Sequence, residues 1–275
     1  MKRTLAMAAV LLAGLFAHQA GAQNPDCYLT VTSPLNFGTY TGAQIRSTTP
    51  YIVTCPGGSW DIPMYAGNGA GATEALRYLT GPGGAELSYN VYRNAAYSEI
   101  WEDTTGTEVT GTGNYDGTIW AELNGGQTGP PGTYTDTILT ATESLVLTTV
   151  IEPACTIAAN PLAFGNYAGA LVDATTTLSI TCTNTTPYNV GLSAGSGVGA
   201  TVTNRLMTGP GGAQLKYTLY SNSGYSTNWG NTAGSWVGGT GTGAAQTLSV
   251  YGQIPAGQHP TAGNYTDTVI ATVNY

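Results

Sequence analysis

Cys27, Cys55, Cys155 and Cys182 are the residues of this 275-residue chain most committed to a particular chemistry. The first two are 28 apart and the last two 27 apart. Four cysteines admit three pairings, and the repeated spacing favours Cys27–Cys55 and Cys155–Cys182, one bridge per unit. Closing a loop of that size stabilises by about 3.5 kcal/mol in the chain-entropy account. The rival, a four-cysteine metal centre, wants close Cys-x-x-Cys pairs, and this sequence has none. Other reactive groups are scarce. The chain has two histidines, His18 and His259, too few for a His-rich zinc site or most His-based catalysis. Glu99, Glu102, Asp103 and Glu108 are close in sequence, but acidic residues without a ligand-loop template read as a solvated loop. A glycosidase would need paired carboxylates, and only Asp173 and Asp267 follow residue 152. Neither an enzyme nor a metal nor a cofactor is expected.

Composition narrows the class further. Charged residues are 8%, the formal net charge is −8 and the pI is about 4.5. A nucleic-acid partner needs a basic face, so none is expected. Thirteen of the fifteen acidic residues precede residue 153. Lys2 and Arg3, the apolar run Leu5 to Ala17 and the small residues Ala20-Gly21-Ala22 form the three parts of a secretory leader, residues 1–22. Cleavage removes His18 and starts the mature chain at Gln23. Export also favours oxidised cysteines. No later stretch approaches the roughly 18 apolar residues of a membrane-spanning helix.

The elements that place the cysteines occur twice. Pro34-Leu35-Asn36-Phe37-Gly38-Thr39-Tyr40 matches Pro161-Leu162-Ala163-Phe164-Gly165-Asn166-Tyr167. RYLTGPGGAELSYNVYRNAAYSEIW, from Arg77 to Trp101, matches RLMTGPGGAQLKYTLYSNSGYSTNW, from Arg205 to Trp229. Gly132-Thr133-Tyr134-Thr135-Asp136-Thr137 matches Gly263-Asn264-Tyr265-Thr266-Asp267-Thr268. Two related domains follow, residues 23–152 and 153–275. Alternation predicts strands around Trp60-x-Ile62-x-Met64 and Tyr188-x-Val190-x-Leu192, in the Leu87–Tyr92 and Leu215–Tyr220 blocks, and in the Thr-rich stretches Tyr134–Thr140 and Tyr265–Ala271. Short strands with Gly-Pro-Gly-Gly turns and one bridge per repeat predict an all-β chain of two immunoglobulin-like sandwiches. Trp60, Trp101 and Trp120 align with Tyr188, Trp229 and Tyr251, which predicts core positions for all six.

The repeated blocks resemble the spore coat protein U domain. Its pattern runs from an early cysteine through F-G-x-Y, a second cysteine, Y-x-L-Y-x-N-x-x-Y-x-x-x-W and a terminal G-N-Y-T-D-T strand. The second repeat follows it through Tyr251-Gly252-Gln253-Ile254-Pro255-Ala256-Gly257-Gln258; the first departs there, with Trp120 to Gln127 in place of that run. Such domains build the pili of archaic, Csu-type chaperone–usher systems. The resemblance implies an immunoglobulin-like fold lacking its last strand, which a periplasmic chaperone supplies first and an adjacent pilin subunit later, with export through an outer-membrane usher. It also implies periplasmic transit, then a place in a surface fimbrium serving adhesion or biofilm. A spore- or cell-coat role is the alternative. The carboxylate of Tyr275 would dock on basic residues of the chaperone.

The missing strand also shows in the alignment. After the Tyr-Thr-Asp-Thr blocks the second repeat runs on to Tyr275, whereas the first continues into residues 144–152, Ser-Leu-Val-Leu-Thr-Thr-Val-Ile-Glu. Linkers tend to be Gly-, Pro- or polar-rich, so this β-branched stretch reads as an extra strand in cis. Leu145, Leu147, Thr149 and Ile151 are its core-facing row. Only Gln23 to Asp26 separate the expected cleavage site from Cys27. Four residues span at most about 14 Å, too short to rebuild a strand in a neighbour. The expectation is a subunit that accepts a strand without donating one, as in the two-domain tip adhesins of this family. Ile100 and Tyr115 replace Asn228 and Gln246 of the second repeat and are the candidate surface contacts.

Overall fold

The computed structural model describes residues 27–275; the expected leader, residues 1–22, lies outside them. The chain is all-β, in two tandem immunoglobulin-like domains. The helical pieces among the described residues are two 3-10 turns, Pro82–Gly84 and Pro210–Gly212, both in the repeated Gly-Pro-Gly-Gly block.

The first domain contains β1 (Tyr28–Val31), β2 (Leu35–Thr39), β3 (Ile45–Thr54), β4 (Ser59–Ile62), β5 (Arg77–Thr80), β6 (Glu86–Tyr92), β7 (Val109–Thr112), β8 (Tyr115–Leu123), β9 (Gly132–Leu139) and β10 (Ser144–Ile151). Eight of them form one curled sheet in the order β1-β3-β8-β6-β5-β9-β10-β2, and β4 pairs with β7. The sheet turns over at β5, which pairs fully with β6 but meets β9 at the single rung Thr80–Thr135. Residues from both halves, Tyr51 and Leu123 on one side and Leu35 and Ile138 on the other, share one core.

β10 closes that sheet. It runs antiparallel to β9 along its whole length and parallel to β2. A tight turn leads into it: the Thr140 N–H and hydroxyl both donate to the Glu143 carbonyl, at 2.8 and 2.9 Å. Strand parity then decides which residues face inward. Leu145, Leu147 and Thr149 are each 0% exposed and Ile151 is 6% exposed.

The second domain contains β11 (Cys155–Ala159), β12 (Val172–Cys182), β13 (Pro187–Leu192), β14 (Arg205–Thr208), β15 (Gln214–Tyr220), β16 (Val237–Thr240), β17 (Ala245–Ile254) and β18 (Ala271–Asn274). They form a five-stranded sheet, β11-β12-β17-β15-β14, and a three-stranded one, β16-β13-β18. A second core lies between them, around Ile180, Val190, Tyr217 and Trp229.

Two expectations are corrected here. Tyr265–Ala271 does not form a strand like β9. It carries one isolated bridge, Thr208–Thr266, and its ladder starts only at Ala271, in β18 along β13. In the first domain the ladder of β9 is made with β10, and the described residues of the second domain place no strand there. Trp120 and Tyr251 are not core residues. Ile119, Ala121 and Leu123 take the inward positions of β8, as Val250 and Ile254 do in β17, so both aromatic rings stand half-buried on the opposite face.

Candidate partner-strand groove

A groove of about 460 Å³ opens along the second domain. Leu162 and Phe164 form one wall, Tyr265 and Val269 the other, and Met207 and Leu219 lie in its floor. These walls are the repeats of β2 and β9. In the first domain the matching Leu35, Tyr134 and Ile138 are 0% exposed and Phe37 is 5% exposed, because β10 lies between them. Burying Leu145, Leu147 and Ile151 there contributes roughly 5–9 kcal/mol as an upper estimate. The second domain has the same walls and the same apolar lining, and among the described residues no strand lies between them. Its open edges leave backbone N–H and C=O groups ready to pair with an added strand.

A polar frame holds the wall that carries Asp267. The Tyr217 hydroxyl, from β15, donates to Asp267 at 2.6 Å. The Ser196 N–H and hydroxyl donate to it at 2.6 and 2.7 Å, and the Thr268 N–H at 2.7 Å. Gly195 makes the approach possible, since at φ +89 a Cβ there would run into the Asp267 carboxylate. Burial works to raise the Asp267 pKa, but these hydrogen bonds outweigh it and hold the carboxyl below its usual range. Burial, then the bond to Asp267, push the Tyr217 hydroxyl far up.

Beneath this frame sits Arg205, 0% exposed. Its guanidinium donates to the carbonyls of Ser193 (2.8 Å), Val202 (2.7 Å), Leu192 (3.1 Å) and Trp229 (2.7 Å). Burial lowers its pKa to about 10, so it stays cationic at neutral pH. The first domain repeats the device. Arg77 donates to the carbonyls of Tyr65, Glu74, Met64 and Trp101 and to the side chain of Asn90, while Tyr89 donates to Asp136 at 2.6 Å. Sequence reasoning passed over both arginines. A signal was present: an arginine kept at matching positions in a chain with seven basic residues.

The other candidate residues fall as follows. Cys27 bridges Cys55, and Cys155 bridges Cys182, each joining the first strand of its domain to the end of the long strand it pairs with. Tyr275 follows β18 and is 61% exposed. Tyr115 is 47% exposed, its ring 5.6 Å from that of Trp60 and 6.1 Å from that of Tyr51. Ile100 is half-buried and bridges Tyr92, which pairs with Trp120, whereas Tyr115 pairs with Val53. The two are therefore at different rungs. Tyr28 (53% exposed) and Ile52 (41%) lie near the same bridged end but on the outer face of the sheet, whereas Tyr115, paired with the buried Val53, is on the inner one. Among the described residues no group of three His, Cys, Asp or Glu side chains is placed to hold a metal.

Comparison with known proteins matches the model of the Spore Coat Protein U domain twice, at residues 14–142 and 141–272. The chain belongs to this family. The Spore Coat Protein U model assigns β10 to its second copy, whereas hydrogen bonding puts it in the first domain's sheet. Protein U of Myxococcus xanthus is 31% identical over 153 residues, covering 50% of this chain and 86% of that protein. Among solved structures, the CsuC–CsuE chaperone–tip adhesion subunit pre-assembly complex from the archaic Csu pili of Acinetobacter baumannii matches with a TM-score of 0.52 and 17% identity. That match covers 90% of this chain and 100% of the other. It shows a shared fold.

Proposed function

We propose that this Spore Coat Protein U protein is a structural and adhesive subunit of a secreted chaperone–usher fibre, assembled by donor-strand complementation. Residues 1–22 are its leader, residues 23–152 the domain at the fibre's distal end, and residues 153–275 the strand-accepting domain. The observation that carries this reading is the groove between the Leu162–Phe164 and Tyr265–Val269 walls, at the place where β10 sits in the first domain. A periplasmic chaperone fills it in transit, with Tyr275 as its anchor, and an adjacent pilin fills it after passage through the outer-membrane usher. The chaperone–tip subunit complex of similar fold supports the assignment of a chaperone partner. The role is structural rather than enzymatic.

Tip position draws support from the first domain. Its groove is filled by its own chain, so it has no place for a neighbour's strand. Its bridged end exposes Tyr28 and Ile52 on the outer sheet face and Tyr115 at the margin of the inner one, where the second domain has Thr156, Ser179 and Gln246. Replacing polar residues with exposed apolar ones suits contact with a surface. Ile100, half-buried and at a different rung, stands apart from them.

The family and its Myxococcus relative favour a second reading, a coat component without a tip position. Immunogold electron microscopy with antibody against residues 27–143 separates the two. Label at fibre ends is expected. Label spread over a fibre-free coat would replace the tip reading with the coat reading.

A further inference from the structure

β10 is not a uniformly apolar strand. Its inward row reads Leu145, Leu147, Thr149, Ile151, and the hydroxyl-bearing third residue is as buried as the leucines. The reason lies in β2. Thr148 pairs with Asn36 but Val150 pairs with Thr39, so Phe37 and Gly38 together oppose Thr149. That extra residue is a bulge, and it leaves the Gly38 carbonyl without a ladder partner. The Thr149 hydroxyl supplies one, donating to the Gly38 carbonyl at 2.8 Å. Pairing resumes at once, with the Tyr40 N–H donating to the Val150 carbonyl at 2.8 Å.

The second domain repeats the bulge residues as Phe164-Gly165-Asn166-Tyr167. Gly165 stands at φ +73, as Gly38 does at +78, so its peptide is already turned for the same arrangement. Among the described residues nothing donates to the Gly165 carbonyl. Tyr265 and Phe164 flank the place as Tyr134 and Phe37 do in the first domain. A strand entering here buries that carbonyl, and a buried acceptor left unpaired is costly.

We propose that the groove selects an incoming strand whose third inward residue is threonine or serine. The pattern is aliphatic-x-aliphatic-x-Thr-x-aliphatic, running antiparallel to residues 265–270 and parallel to residues 162–166, with the hydroxyl donating to the Gly165 carbonyl. The inference rests on the reading of the groove as a strand acceptor. It adds that the strand is recognised by a polar position as well as by its apolar ones.

The test uses the full chain and two synthetic peptides. One copies residues 143–152. The other is the same peptide with Thr149→Val, which keeps the shape and removes the hydroxyl. Binding is measured by calorimetry, with hydrogen exchange locating protection at residues 162–166. The threonine peptide is expected to bind about tenfold more tightly than the valine one. Equal or tighter binding of the valine peptide, with protection at the same residues, would overturn the hydroxyl rule and leave the groove as an acceptor. Failure of both peptides to bind would overturn the acceptor reading and this inference with it. A second arm needs no peptide. Thr149→Val in the full chain should lower the first domain's folding equilibrium constant by a similar factor, and an unchanged constant counts against the rule.

Discussion

Phe37 and Phe164 occupy the same place in two copies of one fold, yet the first is buried in a core and the second lines an open groove. The same holds for Leu35 and Leu162, for Tyr134 and Tyr265, and for Ile138 and Val269. Nothing in these side chains accounts for the change. What differs is the path after the Tyr-Thr-Asp-Thr block. In the first domain the chain turns at Thr140–Glu143 and comes back as β10; in the second, residues 271–274 run on along β13. One strand therefore decides whether both flanking segments pair, and with them the burial of four large apolar residues. A missing strand leaves its neighbours as regular backbone with no ladder, which is why residues 265–270 carry a single bridge while β9 is a strand of eight residues.

If that is the whole difference, adding the strand should abolish it. A version with residues 144–152 copied after Tyr275 on a flexible linker should raise the second domain's melting transition by roughly 20 °C, from the burial of three aliphatic side chains and the repaired edges. Differential scanning calorimetry measures this, and an unmoved transition would break the comparison. The buried arginines test what the two domains share. Arg77→Met and Arg205→Met each orphan four carbonyls, so each should cost its own domain about 4 kcal/mol or more in denaturant melts. Arg77→Met should cost more, because the Asn90 side chain also loses one of its two donors. A near-neutral Arg205→Met would mean that the frame depends on the groove being filled.

Removing one side chain from β10 is a milder probe. Leu147→Ala should destabilise the first domain by about 2–5 kcal/mol and leave the second untouched. Loss in both domains would show that β10 also serves the second. The smallest effect concerns acid. The folded Asp267 has a pKa below that of the unfolded chain, so its contribution is fully present above about pH 4 and fades as pH falls through the lowered folded value. Urea melts of the second domain should weaken over that window, and Asp267→Asn should flatten the slope. A slope unaffected by the substitution would assign acid sensitivity to other carboxylates.

Local pattern made much of this legible before any coordinates. Repeats, turns and alternation are short-range properties, so the two-copy β organisation and the inward row of β10 can be read from residue order. Alignment alone misplaced Trp120 and Tyr251, since matching residues in two copies share a face without that face having to be the core; parity against Ile119 and Leu123 would have placed them outside. The arginine frames were invisible for a different reason. Arg77 and Arg205 are held almost entirely by backbone carbonyls, which every residue carries, so no residue type marks the partners. The same is true of the Gly38 carbonyl that meets Thr149. Residue order alone settled which segments recur and most of the strands, though not that residues 265–270 stay unpaired. The tertiary structure alone decided which distant carbonyls meet a buried donor and which edges remain unpaired, because those depend on pairings between strands up to about a hundred residues apart in the chain.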